Sequence, residues 1–199
     1  MDAMLSPDRL LAAYAGGIFP MADEHGRIHW LAPDPRAVLE PEALRVSRSL
    51  RAVLKRGDFR VTADRAFDEV ITACADRAEG TWISPQLRRA YRKLHEIGFA
   101  HSVESWQDDE LAGGLYGVAI GGAFFGESMF HRVANASKVA LVWLVGRLSA
   151  RGFSLLDVQF ATDHLRRFGA VEIPRSEYQR RVYDAVRLRR SFGDMPEEP

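Results

Sequence analysis

Cysteine is almost missing from this 199-residue chain, which carries Cys74 alone. One thiol closes no internal disulfide and builds no thiolate metal cage, so a reducing compartment is expected. No run approaches the roughly 18 apolar residues needed to span a bilayer, and the first thirty residues hold no basic start followed by an apolar stretch. The expectation is a cytoplasmic protein with no membrane partner. An excess of either charge is also absent, since 27 Lys and Arg balance 27 Asp and Glu, and bulk charge therefore announces no nucleic-acid partner. There is no Gly-x-Ser-x-Gly elbow and no Gly-x-x-x-x-Gly-Lys loop, the signatures of many hydrolases and phosphate cradles. His25/His29 and His95/His101 have spacings a metal could use, but no third ligand is grouped with either pair, and no metal is expected.

What is present is a globular balance, 47% hydrophobic and 27% charged, enough to bury a core in one ordinary domain with a small appendage. The cations are nearly all arginine, whose planar fork suits phosphates and stacked bases. Arg48, Arg51 and Lys55 recur at helical spacing, as do Arg88/Arg92 and Arg89/Lys93, while Arg180, Arg181, Arg187, Arg189 and Arg190 crowd the C-terminal end. Either a solvated helix face or contact with RNA accounts for such stripes.

Ser6-Pro7 makes an N-cap and first helical position, and the helix should run through Leu10, Leu11 and Tyr14 until Gly16 and Gly17 stop it. A Gly-Ile-Phe-Pro turn follows. Residues 28–39 read as extended but interrupted by Pro33 and Pro35, hence as an edge or crossover segment rather than a central strand. A soft boundary there divides a small N-terminal domain, 1–34, from a larger one, 35–199, whose Pro- and Glu-rich tail from about 193 is expected to be disordered. Helices are predicted over 47–55, over 64–75 with Asp64 as cap, and from Ser84-Pro85 to Gly98, with a short strand at 59–62. The period then changes. Strands at 100–106, 111–120 and 123–130, separated by Asp108-Asp109 and Gly121-Gly122, form an antiparallel meander. Residues 135–150 are apolar almost all round, which predicts a helix buried at the centre of the fold. A strand at 154–160 and helices at 163–168 and 176–187 complete an α/β (α+β) fold of acetyltransferase-like (GNAT-like) order, with a mostly antiparallel sheet.

The sharpest chemical signal is Leu155-Leu156-Asp157-Val158-Gln159, because Asp157 and Gln159 stand two apart on a strand and share a face. An acid inside an apolar strand is costly unless bonded or used, and Glu127 in Phe124-Phe125-Gly126-Glu127-Ser128-Met129-Phe130 is a second one. Each alone fits an internal ion pair, Glu127 with Arg132 for instance. Two acids flanking the same buried helix point toward a site. Trp82 fits either the core or a stacking platform for a base.

Taken together, Ala-Tyr14-Ala-Gly-Gly-Ile-Phe-Pro, Trp30-Leu-Ala-Pro-Asp-Pro-Arg, Gly80-Thr-Trp-Ile, Gly113-Gly-Leu-Tyr-Gly-Val-Ala, Gly126-Glu-Ser-Met-Phe, Asn135-Ala-Ser-Lys, Asp157-Val-Gln and Glu172-Ile-Pro-Arg resemble the leucyl/phenylalanyl-tRNA protein transferases, in the family's order, from about Leu10 to Val186. The resemblance implies transfer of Leu or Phe from aminoacyl-tRNA to proteins beginning with Arg or Lys, marking them for degradation, with no cofactor. It implies that Asp157 and Gln159 position the attacking amine and relay its proton, and that Glu127 lies near the basic acceptor residue. It places Leu115, Phe124, Leu141 and Leu144 in an apolar pocket for the transferred side chain, where discrimination of only about 1–3 kcal/mol between neighbouring groups would admit Met as well. Trp82, Met21 and Tyr14 fall at the tRNA 3′ end, and Arg88, Arg89, Arg92 and Lys93 are candidates for the tRNA backbone. Met21 stands where many members have tryptophan, and Thr162 where asparagine is common; the N-terminal domain also begins late relative to longer members. Three alternatives stay open: the same scaffold with another aminoacyl donor or acceptor terminus, a tRNA-binding module without catalysis, and an acyl-CoA N-acetyltransferase. Against the last, His131 to Lys138 offers no glycine for a pyrophosphate loop.

Overall fold

The computed structural model describes residues 3–78 and 80–193. Helix α1 (Pro7–Ala15) begins at Ser6-Pro7 and ends at Gly16. Gly17 then takes φ +78°, and a Cβ there would stand 2.7 Å from the Tyr178 ring, so both the turn and the contact require glycine. The expected Gly-Ile-Phe-Pro turn is instead the start of a hairpin, β1 (Phe19–Ala22) with β2 (Ile28–Leu31). Next come β3 (Arg36–Val38), α2 (Arg48–Arg56), β4 (Arg60–Ala63), α3 (Phe67–Ala75) and α4 (Pro85–Glu96). Ser47 and Ser84 cap α2 and α4 as their types predict, their hydroxyls accepting from the Leu50 and Leu87 amides.

Asp64 does not cap α3, which begins three residues later. With φ +57°, it turns its carboxylate toward β5 (Ala100–Gln107), accepting from the Ser102 amide and bonding His101 Nδ1 at 2.8 Å. Strand β5 continues the meander into β6 (Glu110–Ile120) and β7 (Ala123–His131), and Asp108 and Asp109 both have positive φ, as a tight hairpin demands. Then follow α5 (Ala136–Ala150), β8 (Leu155–Gln159), α6 (Asp163–Arg167), β9 (Val171–Ile173) and α7 (Arg175–Ala185).

Seven strands form one sheet in the order β4-β5-β6-β7-β8-β3-β9, antiparallel throughout except for the parallel pair β7·β8. The segment read as an edge or crossover is corrected here. Its prolines end before Arg36, leaving β3 free to pair on both sides, with β8 and with β9; the three-residue β9 itself escaped a pattern reading. On one face of the sheet Leu10, Tyr14, Phe67, Ile71, Tyr91 and Tyr178 gather around Tyr116 and Phe125; on the other Leu50, Leu141, Leu144 and Leu148 gather around Leu115 and Phe124. Helix α5 covers that second face rather than lying enclosed: Gly146 and Ser149 are exposed, and the half-buried Arg147 guanidinium lies over the Trp143 ring. Of the tail expected to be disordered, 194–199 lie outside the described residues. Just before it, Phe192 is buried against Phe124 and His101. Among the described residues no helix is long and apolar enough to cross a membrane.

Two glycines test this packing. Gly117→Ala would put a Cβ 2.4 Å from the backbone carbonyl of Phe125, and urea unfolding should show a loss of about 1–3 kcal/mol. Gly146→Ala on α5 meets nothing within 4 Å and should gain about 0.5–1 kcal/mol in the same measurement.

Candidate active site

Strands β7 and β8 pair only from Ala123↔Leu155 to Phe125↔Asp157. Beyond that register they part, and a cleft of about 580 Å³ opens between Gly126–His131 on one side and Val158–Phe160 on the other. Its walls come from both faces of the sheet. Met21, Trp82 and Tyr116 border it on one face, while Leu115, Leu141 and Leu144 border it on the other.

Asp157 is fully buried behind this opening. The Arg36 guanidinium donates to both its oxygens, Nε to Oδ1 at 2.9 Å and Nη2 to Oδ2 at 2.6 Å, a bidentate pair. The Tyr178 hydroxyl donates to Oδ2 at 2.8 Å, and the Gln159 amide to Oδ1 at 2.9 Å. That last bond holds Gln159 at φ +62°, a conformation that β-strand residues avoid. So turned, the Gln159 side chain enters the cleft and donates from Nε2 to Glu127 Oε1 at 2.9 Å.

Glu127 is not paired with Arg132, whose Nη1 donates to the Leu111 carbonyl. Its carboxyl closes a ring with two phenols: Tyr14 Oη lies 2.8 Å from Oε1, Tyr91 Oη 2.8 Å from Oε2, and the two hydroxyls are 2.6 Å apart. Two phenolic protons cannot fill three oxygen–oxygen contacts. A third proton on the carboxyl fills them all, running from Oε2 to Tyr91, from Tyr91 to Tyr14 and from Tyr14 to Oε1. Burial, opposed by the Tyr14 and Tyr91 hydrogen bonds and reinforced by the Asp157 charge, pushes Glu127 up to about 7. The two carboxyls of the site differ in their partners, a bidentate arginine for Asp157 and two phenols for Glu127, and Glu127 is the one raised toward neutrality.

Among residues expected at the site, Glu127, Gln159, Leu115, Leu141, Leu144, Met21 and Trp82 line the cleft. Asp157 stands behind it, and Phe124 is buried in the core beside the apolar wall. Tyr14, expected at the tRNA end, is buried with its hydroxyl on Glu127. Trp82 joins both open readings, packing on the core and facing the cleft. Thr162 borders the cleft and caps α6 through the Leu165 amide. Arg88, Arg89, Arg92 and Lys93 lie apart on α4; Arg92 pairs with Asp68 and Lys93 with Glu96. Cys74 is a core thiol, raised to about 12 by burial. Sequence reasoning gave no role to Arg36, Tyr91, Tyr116 or Tyr178. The arginine that closes Pro33-Asp-Pro-Arg36 was the available signal, since a cation in an apolar strand needs a buried acid.

The sequence model described as leucyl/phenylalanyl-tRNA protein transferase matches residues 38–183, and the model of that family's N-terminal domain matches 3–34. The leucyl/phenylalanyl-tRNA–protein transferase of Salinibacter ruber is 57% identical over 92% of this chain and 80% of its own length. Its namesake in Rubrobacter xylanophilus is 56% identical over 95% of this chain and 99% of its own. A solved structure of L-PGS from Bacillus licheniformis superposes with a TM-score of 0.46 at 13% identity, over 78% of this chain and 52% of that one, a likeness too distant to bear on function. The closer matches define the class as an aminoacyltransferase. The chain belongs to the leucyl/phenylalanyl-tRNA protein transferase family.

Two measurements check the site's electrostatics. Arg36→Met strands a buried carboxylate and should destabilise the fold by about 3–5 kcal/mol in urea unfolding. Glu127 keeps its proton to about pH 7 when folded but loses it near 4.3 when unfolded. The unfolded chain therefore binds fewer protons in that window, and stability should fall as pH rises through it, by about 3 kcal/mol. Glu127→Gln should flatten that slope.

Proposed function

We propose that this enzyme transfers leucine or phenylalanine, and methionine more weakly, from aminoacyl-tRNA to the N-terminal amine of proteins that begin with Arg or Lys, marking them for degradation. The observation that carries the reading is the meeting, in one cleft, of an apolar wall (Leu115, Leu141, Leu144) with a buried, near-neutral carboxyl. The apolar wall fits an aliphatic or aromatic side chain, and Glu127 fits the cationic acceptor residue and the proton of its amine. The strand split that makes the cleft also supports the acetyltransferase-like description of residues 35–199, with 1–34 as the smaller domain.

In the reaction, the neutral α-amine attacks the ester carbonyl carbon. A C–N bond forms, the C–O bond to the terminal ribose breaks, the nitrogen loses a proton and the ribose oxygen gains one. Glu127 is the proton acceptor in this scheme, with Tyr14 and Tyr91 as positioning residues that disperse its charge when ionised. Asp157 is a positioning residue: all the directions open to its oxygens are taken by Arg36, Tyr178 and the Gln159 amide. Because the ester is already activated, most of the acceleration comes from holding amine and carbonyl together, where effective molarities reach about 10⁵ M or more. Trp82 and Met21 hold the terminal adenine, a thioether packing less rigidly than a second aromatic ring would.

The test is to incubate the protein with leucyl-, phenylalanyl-, methionyl- and arginyl-tRNA and peptides beginning with Arg, Lys, Asp or Glu, and to weigh the products. Transfer of Leu and Phe to Arg- and Lys-peptides is expected; transfer from no donor would overturn the reading. With a good donor, kcat should rise with an apparent pKa near 7. Glu127→Gln should lower it about 10²–10⁴-fold and abolish that dependence. Asp157→Asn should lower kcat while leaving the pH dependence in place.

A further inference from the structure

Among the described residues, two buried side-chain polar atoms lack any hydrogen-bond partner, the Tyr116 hydroxyl and His164 Nε2, and both residues line the same cleft. An unsatisfied buried polar group costs about 1–3 kcal/mol. Such groups on a cavity wall are explained when the cavity's ligand bonds them. Tyr116 borders the face of Glu127 and Trp82. His164 stands at the other end, and its surroundings are cationic.

Three elements bring basic side chains there: His131 from the end of β7, Lys138 from the first turn of α5, and His164 with Arg167 from α6. Burial, then the charges of Lys138, His131 and Arg167, hold the His164 imidazole below its ordinary range. Its Nε2, buried and without a partner, is the ring atom left for a ligand to meet. Among the described residues no carboxylate forms an ion pair with any of the four; Lys138 Nζ has only the Asn135 amide oxygen, at 3.2 Å. Asn135, so engaged and at φ +73°, gives the fifteen-residue α5 no side-chain cap, and Asn135, Ser137 and Lys138 face the cleft at this uncapped start. An uncapped helix start, a lysine and an unpartnered imidazole nitrogen around one end of the cleft are complementary to an oxyanion.

We propose that this end of the cleft binds a phosphodiester of the tRNA 3′ end, with Lys138, His164 and the start of α5 as its ligands and Arg167 supplying longer-range charge. The inference rests on the donor being an aminoacyl ester of an RNA terminus. A phosphate is the only anion that such a donor carries beside its terminal nucleoside. Fixing it would hold the ester while the weakly discriminating apolar pocket receives the side chain.

The experiment compares kcat/KM for three leucyl esters: leucyl-adenosine, which has no phosphate, leucyl-cytidylyl-adenosine, and the same dinucleotide with a neutral methylphosphonate linkage. The natural dinucleotide should exceed both others by about tenfold, the effect of one charge-assisted contact. In Lys138→Gln the ratio of natural to methylphosphonate donor should fall toward one. Arg167→Gln, a change at an exposed position, should lower the same ratio by a smaller factor. Equal rates for natural and neutral dinucleotides in the unaltered enzyme overturn the phosphate site, whether or not Lys138→Gln folds. An undiminished ratio in Lys138→Gln overturns the role of that lysine. Failure of the underlying reading looks different: no product from any ester, nor from full-length leucyl-tRNA.

Discussion

The ion pair between Arg36 and Asp157 is the constraint on which the site depends. Both side chains are almost wholly withdrawn from water, where a lone charge is very costly and a pair is tolerated only with good geometry and every remaining bond made. These conditions are met through chain segments far apart in sequence. Arg36 arrives on β3 and also donates from Nη1 to the Gly17 carbonyl in the turn that follows α1. Its guanidinium lies between the rings of Phe19 and Tyr178. Asp157 arrives on β8, and Tyr178 on α7. One charge pair thus ties the hairpin segment, the sheet and the last helix together, and the Gln159 backbone takes its left-handed turn from the same carboxylate.

That turn lets the two acids of the site behave differently. An anion with four donors around it has nothing left to accept, so Asp157 transmits position. Glu127 accepts from Gln159 and from phenols that also need each other, and three contacts share too few protons when it is ionised. Burial raises Glu127, whose tyrosine partners oppose the rise only in part, whereas the likewise buried Asp157 has an arginine to meet its charge; the difference between the two carboxyls is the cation that only one of them has.

Much of the fold was legible because its signals are local. Ser-Pro starts, the Asp-Asp turn and the alternation of the meander each act within a few residues. The misreadings share a cause. Residues 28–39 were judged by their prolines, yet the three residues after Pro35 find strands on both sides, one of them supplied more than 130 positions later. Asp64 has the type of a cap, but tertiary bonds to His101 and Ser102 claim it. At the site, Asp157, Gln159 and Glu127 were visible as polar residues in apolar strands. Tyr91 and Tyr178 were not, and Tyr14 was expected at the tRNA 3′ end rather than on Glu127, because a tyrosine in a helix looks like ordinary core until the acid that its hydroxyl meets is placed beside it.

The cleft itself follows from a rule of strand pairing. Parallel β7 and β8 are held at one end by three register pairs, and Gly126 comes just where they part. A Cβ there would lie 3.3 Å from the Asp157 carbonyl, so a side chain at this position would press the strands apart earlier and shift the Gln159 turn. Once the strands diverge, backbone groups that would have bonded across the sheet face a cavity, and the side chains beside them are the groups free to meet a substrate. Since the split passes through the sheet, it joins two faces with opposite characters. One is a tyrosine-rich layer that suits a proton and a base; the other is a leucine-rich layer ending in cations, which suits an apolar side chain. A substrate that is itself a base, a sugar, an ester and an apolar group in series fits such a passage, whereas either face alone would recognise only part of it.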